Sequence, residues 1–177
     1  GSTDDTGRIL EIYHDRVDVY NQEKLGIASA LNSGLKLARG KYIARQDADD
    51  ISISDRIETQ VTFLENHPEI GILGSTCILM DENGKNWGIQ KMPQSDFHIR
   101  WTCLFKSPFL HPSVVVRKDC LDEHAIKYAD QFEVAQDYEL WTRLLKVTKG
   151  ENLAVPLIYY RVHRQTTTSL KREKTKK

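Results

Sequence analysis

Ala38–Asp50 reads ARGKYIARQDADD, and this stretch decides the fold. Lys41–Arg45 is a short predicted strand, and Asp47-Ala48-Asp49-Asp50 follows at its C-terminal end. Upstream, Glu23–Arg39 predicts a helix. Ile27, Leu31, Leu35 and Ala38 recur at helical spacing, and Gly40 suits the C-terminal cap. Helix, strand and acidic loop in succession favour a layered α/β sheet. In open α/β sheets ligands bind at the carboxyl ends of strands, which is where these acids fall.

The alternation continues outward. Val17–Tyr20 is a strand candidate. Ser54–Asn66 predicts a helix capped by Ser54 or Asp55, with Ile57, Val61 and Leu64 inward and Pro68 forbidding continuation. Ile70–Met80 reads as a buried strand and Asn83-Gly84 as a hairpin turn. A helix starts near Ser95, with Phe97, Trp101, Leu104 and Phe105 on one face, and ends before Pro108. Ser113–Val116 is a β-branched strand. Gln136–Val147 is a helix with Leu140, Leu144 and Leu145 inward. Leu153–Val162 is a final strand, and Pro156 suggests an edge position. Trp101 and Trp141 are expected in the core, with Trp87 partly exposed.

The 177 residues fit one domain, and 40% hydrophobic content can bury a sizeable core. Lys plus Arg equals Asp plus Glu at 25 each, which argues against a nucleic-acid partner. The tail Lys171–Lys177 carries five positive charges and one negative, so the body is mildly acidic. The basic tail, 170–177, is read as disordered, with contact to anionic lipid as the other reading. Cys77, Cys103 and Cys120 are too scattered for a disulfide framework and are read as reduced cytosolic thiols. No apolar run approaches the ~20 residues that span a bilayer.

Three constellations could carry chemistry. Three carboxylates within four residues, Asp47, Asp49 and Asp50, repel one another unless a cation or a turn absorbs the charge. Hard ions such as Mg²⁺ and Mn²⁺ prefer oxygen ligands and often bridge a carboxylate to a diphosphate. A loop of turn-formers explains the same residues without a metal. Asp137, at the first turn of an apolar helix, suits either the helix dipole or a general base. In Tyr160-Arg161-Val162-His163, the histidine could ligate a metal and the arginine could clamp a phosphate, or both could simply mark a polar strand exit. His111-Pro112 more simply shapes a turn. The sequence contains no Gly-x-Ser-x-Gly, P-loop, Gly-x-Gly-x-x-Gly or His-Glu-x-x-His motif.

Taken in order, these features resemble family 2 glycosyltransferases with a GT-A fold. Gly1-Ser2-Thr3-Asp4-Asp5-Thr6 is similar to the second half of that family's Asp-Asp-Gly-Ser-Thr-Asp run. Gly26–Leu35 (GIASALNSGL) and Ala38–Asp50 resemble its central block. Arg56, Gln60 and Phe63-Leu64 follow, then His111-Pro112-Ser113, Gln136-Asp137-Tyr138-Glu139-Leu140-Trp141 and Tyr160-Arg161-Val162-His163. The resemblance extends to about Ser169, which sets the expected domain at 1–169.

The resemblance implies a mixed, mostly parallel sheet flanked by helices. It implies a nucleotide-diphosphate sugar donor and a saccharide or lipid-linked acceptor, in bacterial cell-surface polysaccharide or glycolipid synthesis. Asp49 would bind Mg²⁺ or Mn²⁺, Asp47 would lie near the ribose or metal, and Asp137 would act as the base in an inverting transfer. His163 would be a further contact to metal or phosphate, and Arg161 a phosphate candidate. The implied location is cytoplasmic, with membrane association on the cytoplasmic face. Gln136 departs from the family's Glu-Asp pair. Members usually begin with a strand-helix-strand unit of roughly 30 residues. The chain therefore reads as an N-terminally truncated member, weakly active or inactive alone, with an exposed sheet edge that favours a homo-oligomer. A non-catalytic binding or scaffold domain of the same fold is the competing reading.

Overall fold

The computed structural model describes residues 2–132 and 134–163. The boundary expected at residue 169 and the basic tail at 170–177 lie outside the described residues. The helices are α1 (Thr6–Glu11), α2 (Ile27–Leu37), α3 (Arg56–Asn66), α4 (Asp96–Cys103), α5 (Lys118–Asp122) and α6 (Gln136–Leu144). The strands are β1 (Tyr42–Ala44), β2 (Ile51–Ser52), β3 (Ile70–Met80), β4 (Asn86–Gln90), β5 (Val115–Arg117) and β6 (Lys149–Arg161).

They form one sheet in the order β1-β5-β3-β6-β2, with β4 paired to β3 as a hairpin. Gly84, at φ +81°, takes the left-handed turn that Asn83-Gly84 predicts. The sheet is mixed, as expected, but it is not mostly parallel. Among the described residues only β3 and β6 pair in parallel; the other four ladders are antiparallel. β1, β3 and β6 do run in one direction. However, β5 lies between β1 and β3 in the opposite sense, so the helix–strand alternation predicts direction without predicting adjacency.

β3 is the central strand and is buried along most of its length. On one of its faces Ile72 joins Ile99, Phe109, Val114, Leu140, Trp141 and Leu144 in the main core. On the other, Leu73 packs with Leu64, Ile70 and Val115. Trp141 is fully buried, as expected, while Trp101 is not. Val17–Tyr20 is coil rather than strand and is exposed, because among the described residues no strand lies beside it. Pro156 sits in the second-to-last strand, but β2 spans only two residues and pairs Tyr159 and Ile158, so Pro156 faces no ladder on that side. Among the described residues no helix is long and apolar enough to cross a membrane.

The inward face of α3 is polar where an apolar stripe was expected. Ile57 is 48% exposed, whereas Arg56 and Gln60 are buried beside Leu64. Arg56 donates to Gln60 Oε1 at 3.0 Å, Gln46 Oε1 at 2.8 Å, Ser52 Oγ at 3.0 Å, and the carbonyls of Arg45 at 2.8 Å and Val114 at 3.5 Å. Gln60 Nε2 donates to Ser113 O at 2.9 Å and Leu73 O at 3.3 Å. Buried polar groups persist only when so satisfied. Arg56→Met should therefore cost about 3 kcal/mol, since it strips donors from several buried acceptors. Arg56→Lys, which lacks the planar fork, should recover little of that loss. Urea unfolding of both variants checks this.

Candidate active site

The acidic loop is held at both ends by the sheet. β1 ends at Ala44, and the Arg45 amide extends its ladder by donating to Val114 O at 3.0 Å. β2 then pairs Ile51 with Tyr159 and Ser52 with Ile158. That pairing sets the C-terminal end of β6 against Asp49 and Asp50. His163 Nε2 lies 2.7 Å from Asp49 Oδ2, although the two are 114 positions apart in sequence. Two of the predicted site residues thus meet directly.

Arg161, the phosphate candidate, is anchored on the loop it adjoins. Its amide donates to Asp50 Oδ1 at 2.8 Å, and its Nε donates to Asp49 O at 2.8 Å. Its Nη1 donates to Asp81 O and Glu82 O, each at 3.1 Å. The guanidinium therefore ties the acidic loop to the β3–β4 turn through backbone carbonyls. Asp50 is the buried member of the trio. Burial raises its carboxyl to about 6; the Arg161 amide opposes that rise, and the Asp49 and Asp47 charges add to it.

Asp47 pairs with Arg45, whose side chain is only 12% exposed. Arg45 Nε is buried without a hydrogen-bond acceptor among the described residues. Arg45 and Asp47 also act on Asp137, in the first turn of α6. Burial pushes the Asp137 carboxyl up, the Tyr138 amide and Arg45 oppose this, and Asp47 reinforces it. Asp137 is half-buried, and a carboxyl with a raised pKa beside a charged cluster is a candidate for acid–base chemistry. Tyr160 belongs to the same cluster: burial raises its phenol, and Asp50, Asp47 and Asp49 add to the effect.

Residues to which sequence reasoning gave no site role support this arrangement. His111 is buried and shares a 2.8 Å hydrogen bond with the Tyr128 hydroxyl. Burial, then the Arg45 charge, lowers its pKa to about 3, so it is neutral at neutral pH. Asn32 fixes Tyr128 in turn: Asn32 Nδ2 donates to Tyr128 O, and the Tyr128 amide donates to Asn32 Oδ1, each at 2.9 Å. The available signal for Arg45 was its place two residues before Asp47, on the same side of an extended chain.

Among the described residues no group of three or more His, Cys, Asp or Glu side chains converges to hold an ion. Asp49 and His163, one carboxylate and one imidazole, are of the residue types that ligate divalent cations, and as a pair would supply two donors to such an ion. Two cavities lie elsewhere. One, of about 490 Å³, is lined by Asn32, Ile43, Lys118 and Ile126 among others. The other, of about 470 Å³, sets Thr3 and Asp4 beside Gln22 and Gly26. Neither is lined by the acidic loop.

Residues 1–124 match the family model of Glycosyl transferase family 2. The chain belongs to that family. Over 126 residues it is 36% identical to the amylovoran biosynthesis glycosyltransferase AmsE of Erwinia amylovora, covering 71% of this chain and 46% of that protein. Its fold matches S. aureus TarS 1-349 in complex with UDP-GlcNAc at a TM-score of 0.75 and 19% identity, over 95% of this chain and 49% of that one. It also matches the mannosyltransferase PcManGT of Pyrobaculum calidifontis, in complex with GDP-Man and Mn2+. There the TM-score is 0.68 at 17% identity, over 96% of this chain and 48% of that one. The GT-A-like fold expected of the family is the one observed. The chain spans about half the length of the curated relatives it matches.

A titration follows from His111. Its ordinary value is 6.5 and its folded value about 3. The unfolded chain therefore binds the proton first, and stability present above 6.5 is lost as pH falls through that window. His111→Asn should flatten this acid-induced loss, read as the difference between urea midpoints at neutral and mildly acid pH.

Proposed function

We propose that the protein transfers a sugar from a nucleotide-diphosphate donor to a hydroxyl of a saccharide or lipid-linked acceptor, with inversion. The 2.7 Å contact of His163 with Asp49, beside the buried Asp50, is the observation that carries this reading. Asp49 and His163 would hold Mg²⁺ or Mn²⁺, which as a Lewis acid offsets charge on the leaving diphosphate. Asp47, held by Arg45, would face the ribose or the metal. Arg161 would serve the donor by fixing the backbone of the acidic loop. Asp137 would take the acceptor's proton, and Arg45 would keep that carboxylate available against its burial.

The role of AmsE in amylovoran biosynthesis supports polysaccharide assembly as the setting, and TarS binds UDP-GlcNAc while PcManGT binds GDP-Man with Mn2+. A cytoplasmic site on the inner membrane face fits such a pathway. The outer edge of β1, which pairs only β5 among the described residues, would accept a further strand or a second chain.

Thermal shift against UDP, GDP, dTDP and CMP, with and without Mn²⁺, tests the donor site. One nucleotide should raise the melting temperature only with Mn²⁺, and Asp49→Asn or His163→Ala should abolish that rise. Indifference to every nucleotide would favour the scaffold reading. Asp137→Asn should slow transfer by about 10²–10⁴ while leaving the Mn²⁺-dependent shift intact. Because burial raises the Asp137 carboxyl, transfer should increase with pH along an acid limb displaced above the ordinary carboxylate range. An initial-rate pH profile reads it.

A further inference from the structure

The apolar stripe formed by α4 and the turn that follows it points away from the core. Phe97 is 73% exposed, Trp101 61%, Leu104 67% and Phe105 72%. On the inward side Ile99 is fully buried. The rings of Trp101 and Phe105 meet edge to face at 5.8 Å, so the pair forms one apolar surface. The helix is firmly anchored behind that face. Arg100 donates to Leu145 O at 2.5 Å and Thr148 O at 3.0 Å, and the Gly150 amide donates to Asp96 Oδ1 at 3.0 Å. The stripe is therefore a fixed feature of the folded protein, at a position where four large apolar side chains would ordinarily be buried.

We propose that this face of α4 rests on an anionic lipid bilayer. Charge favours that occupant. The segment 91–106 that bears the stripe carries Lys91, Arg100 and Lys106 against Asp96 alone, a net of +2 with His98 counted as neutral. Asp96 is itself paired with Arg100 at 2.7 Å, which leaves the exposed Lys91 and Lys106 as the unbalanced charges. Trp and Phe beside Lys and Arg is the composition of helices that lie in the membrane interface.

A second copy of the chain fits less well, because a two-fold contact would set these cations against their own images. Three aromatic side chains and one leucine, each about two-thirds exposed, also offer on the order of 500 Å². That is short of the ~800 Å² per partner of a stable protein interface.

The face also leads to the acceptor side of the site, a point that rests on the proposed transfer reaction. The Tyr138 hydroxyl donates to Cys103 O at 2.5 Å, joining the end of α4 to the helix start that carries Asp137. A lipid-linked acceptor lying in the same bilayer would present its hydroxyl toward Asp137.

Cosedimentation with vesicles of phosphatidylglycerol and phosphatidylcholine, against phosphatidylcholine alone, tests the docking. The protein should bind the anionic vesicles, and the pair Trp101→Ser with Phe105→Ser should weaken that binding at least tenfold. Both residues are exposed, so circular dichroism and melting temperature should stay unchanged. Undiminished binding by the double variant would place the contact elsewhere, the basic tail included, and overturn the proposal. So would no binding to either vesicle, or a dimer on size exclusion that the double variant dissolves. Asp137→Asn should bind vesicles like the wild type, so failure of the docking and failure of the transfer reading are separable.

Discussion

The buried guanidinium of Arg56 is the interaction on which the site's geometry depends. It reaches the end of β1 through Arg45 O, the acidic loop through Gln46, β2 through Ser52 and the approach to β5 through Val114 O. Burying a cation costs several kcal/mol unless its donors are satisfied. Burial does lower its pKa, to about 10, with the Asp50 charge opposing that fall. Arg56 therefore stays charged at neutral pH, and its donors are used on four separate segments. The loop carrying Asp47, Asp49 and Asp50 is shaped by that fixed hub together with its own turn, in which the Asp50 amide donates to Asp47 O at 3.3 Å and Gln46 Nε2 donates to Asp47 O at 3.0 Å.

The acidic trio is tolerated because each member has a different compensation. Asp47 has a near-buried arginine, Asp49 an imidazole, and Asp50 a backbone amide. Burial still leaves Asp50 hard to ionise. The half-exposed Asp49 is consequently the most accessible carboxylate of the three, while Asp50 works inward to seat β6. One short sequence motif thus divides between a solvent-facing carboxylate and internal support.

Much of this was legible in the sequence where period and punctuation agree. β3 runs over Ile70–Met80 as its apolar run predicts, and the turn at Asn83-Gly84 follows. Asp49 and His163 were nominated separately, and the sheet brings them together. The failures have physical causes. The α3 pattern was read for apolar residues, but its inward face carries a satisfied arginine and glutamine. The α4 stripe has a core-like period, yet helical period alone does not say which side a helix turns to its neighbours. Strand directions were implicit in the helix–strand alternation, but the insertion of β5 between β1 and β3 was not. The bonds made by Arg161 depend on where the β3–β4 turn falls in space, which no local pattern encodes.

β6 does not keep step with β3. From Leu153 to Ile158 it passes five residues while β3 passes two, from Ser75 to Cys77. The surplus lies between two fixed points: Asn152, whose side chain binds Pro93 O at 2.7 Å and Pro108 O at 3.1 Å, and the pairing with β2. Side chains alternate faces along a strand, so the parity of that surplus decides which residues turn toward the acidic loop. A chain one residue shorter at 154–155 would keep both anchors only by exchanging the outlooks of neighbouring residues at its far end. Length in that irregular stretch acts as a phase setting, and an alignment of relatives should vary there in composition far more freely than in residue count.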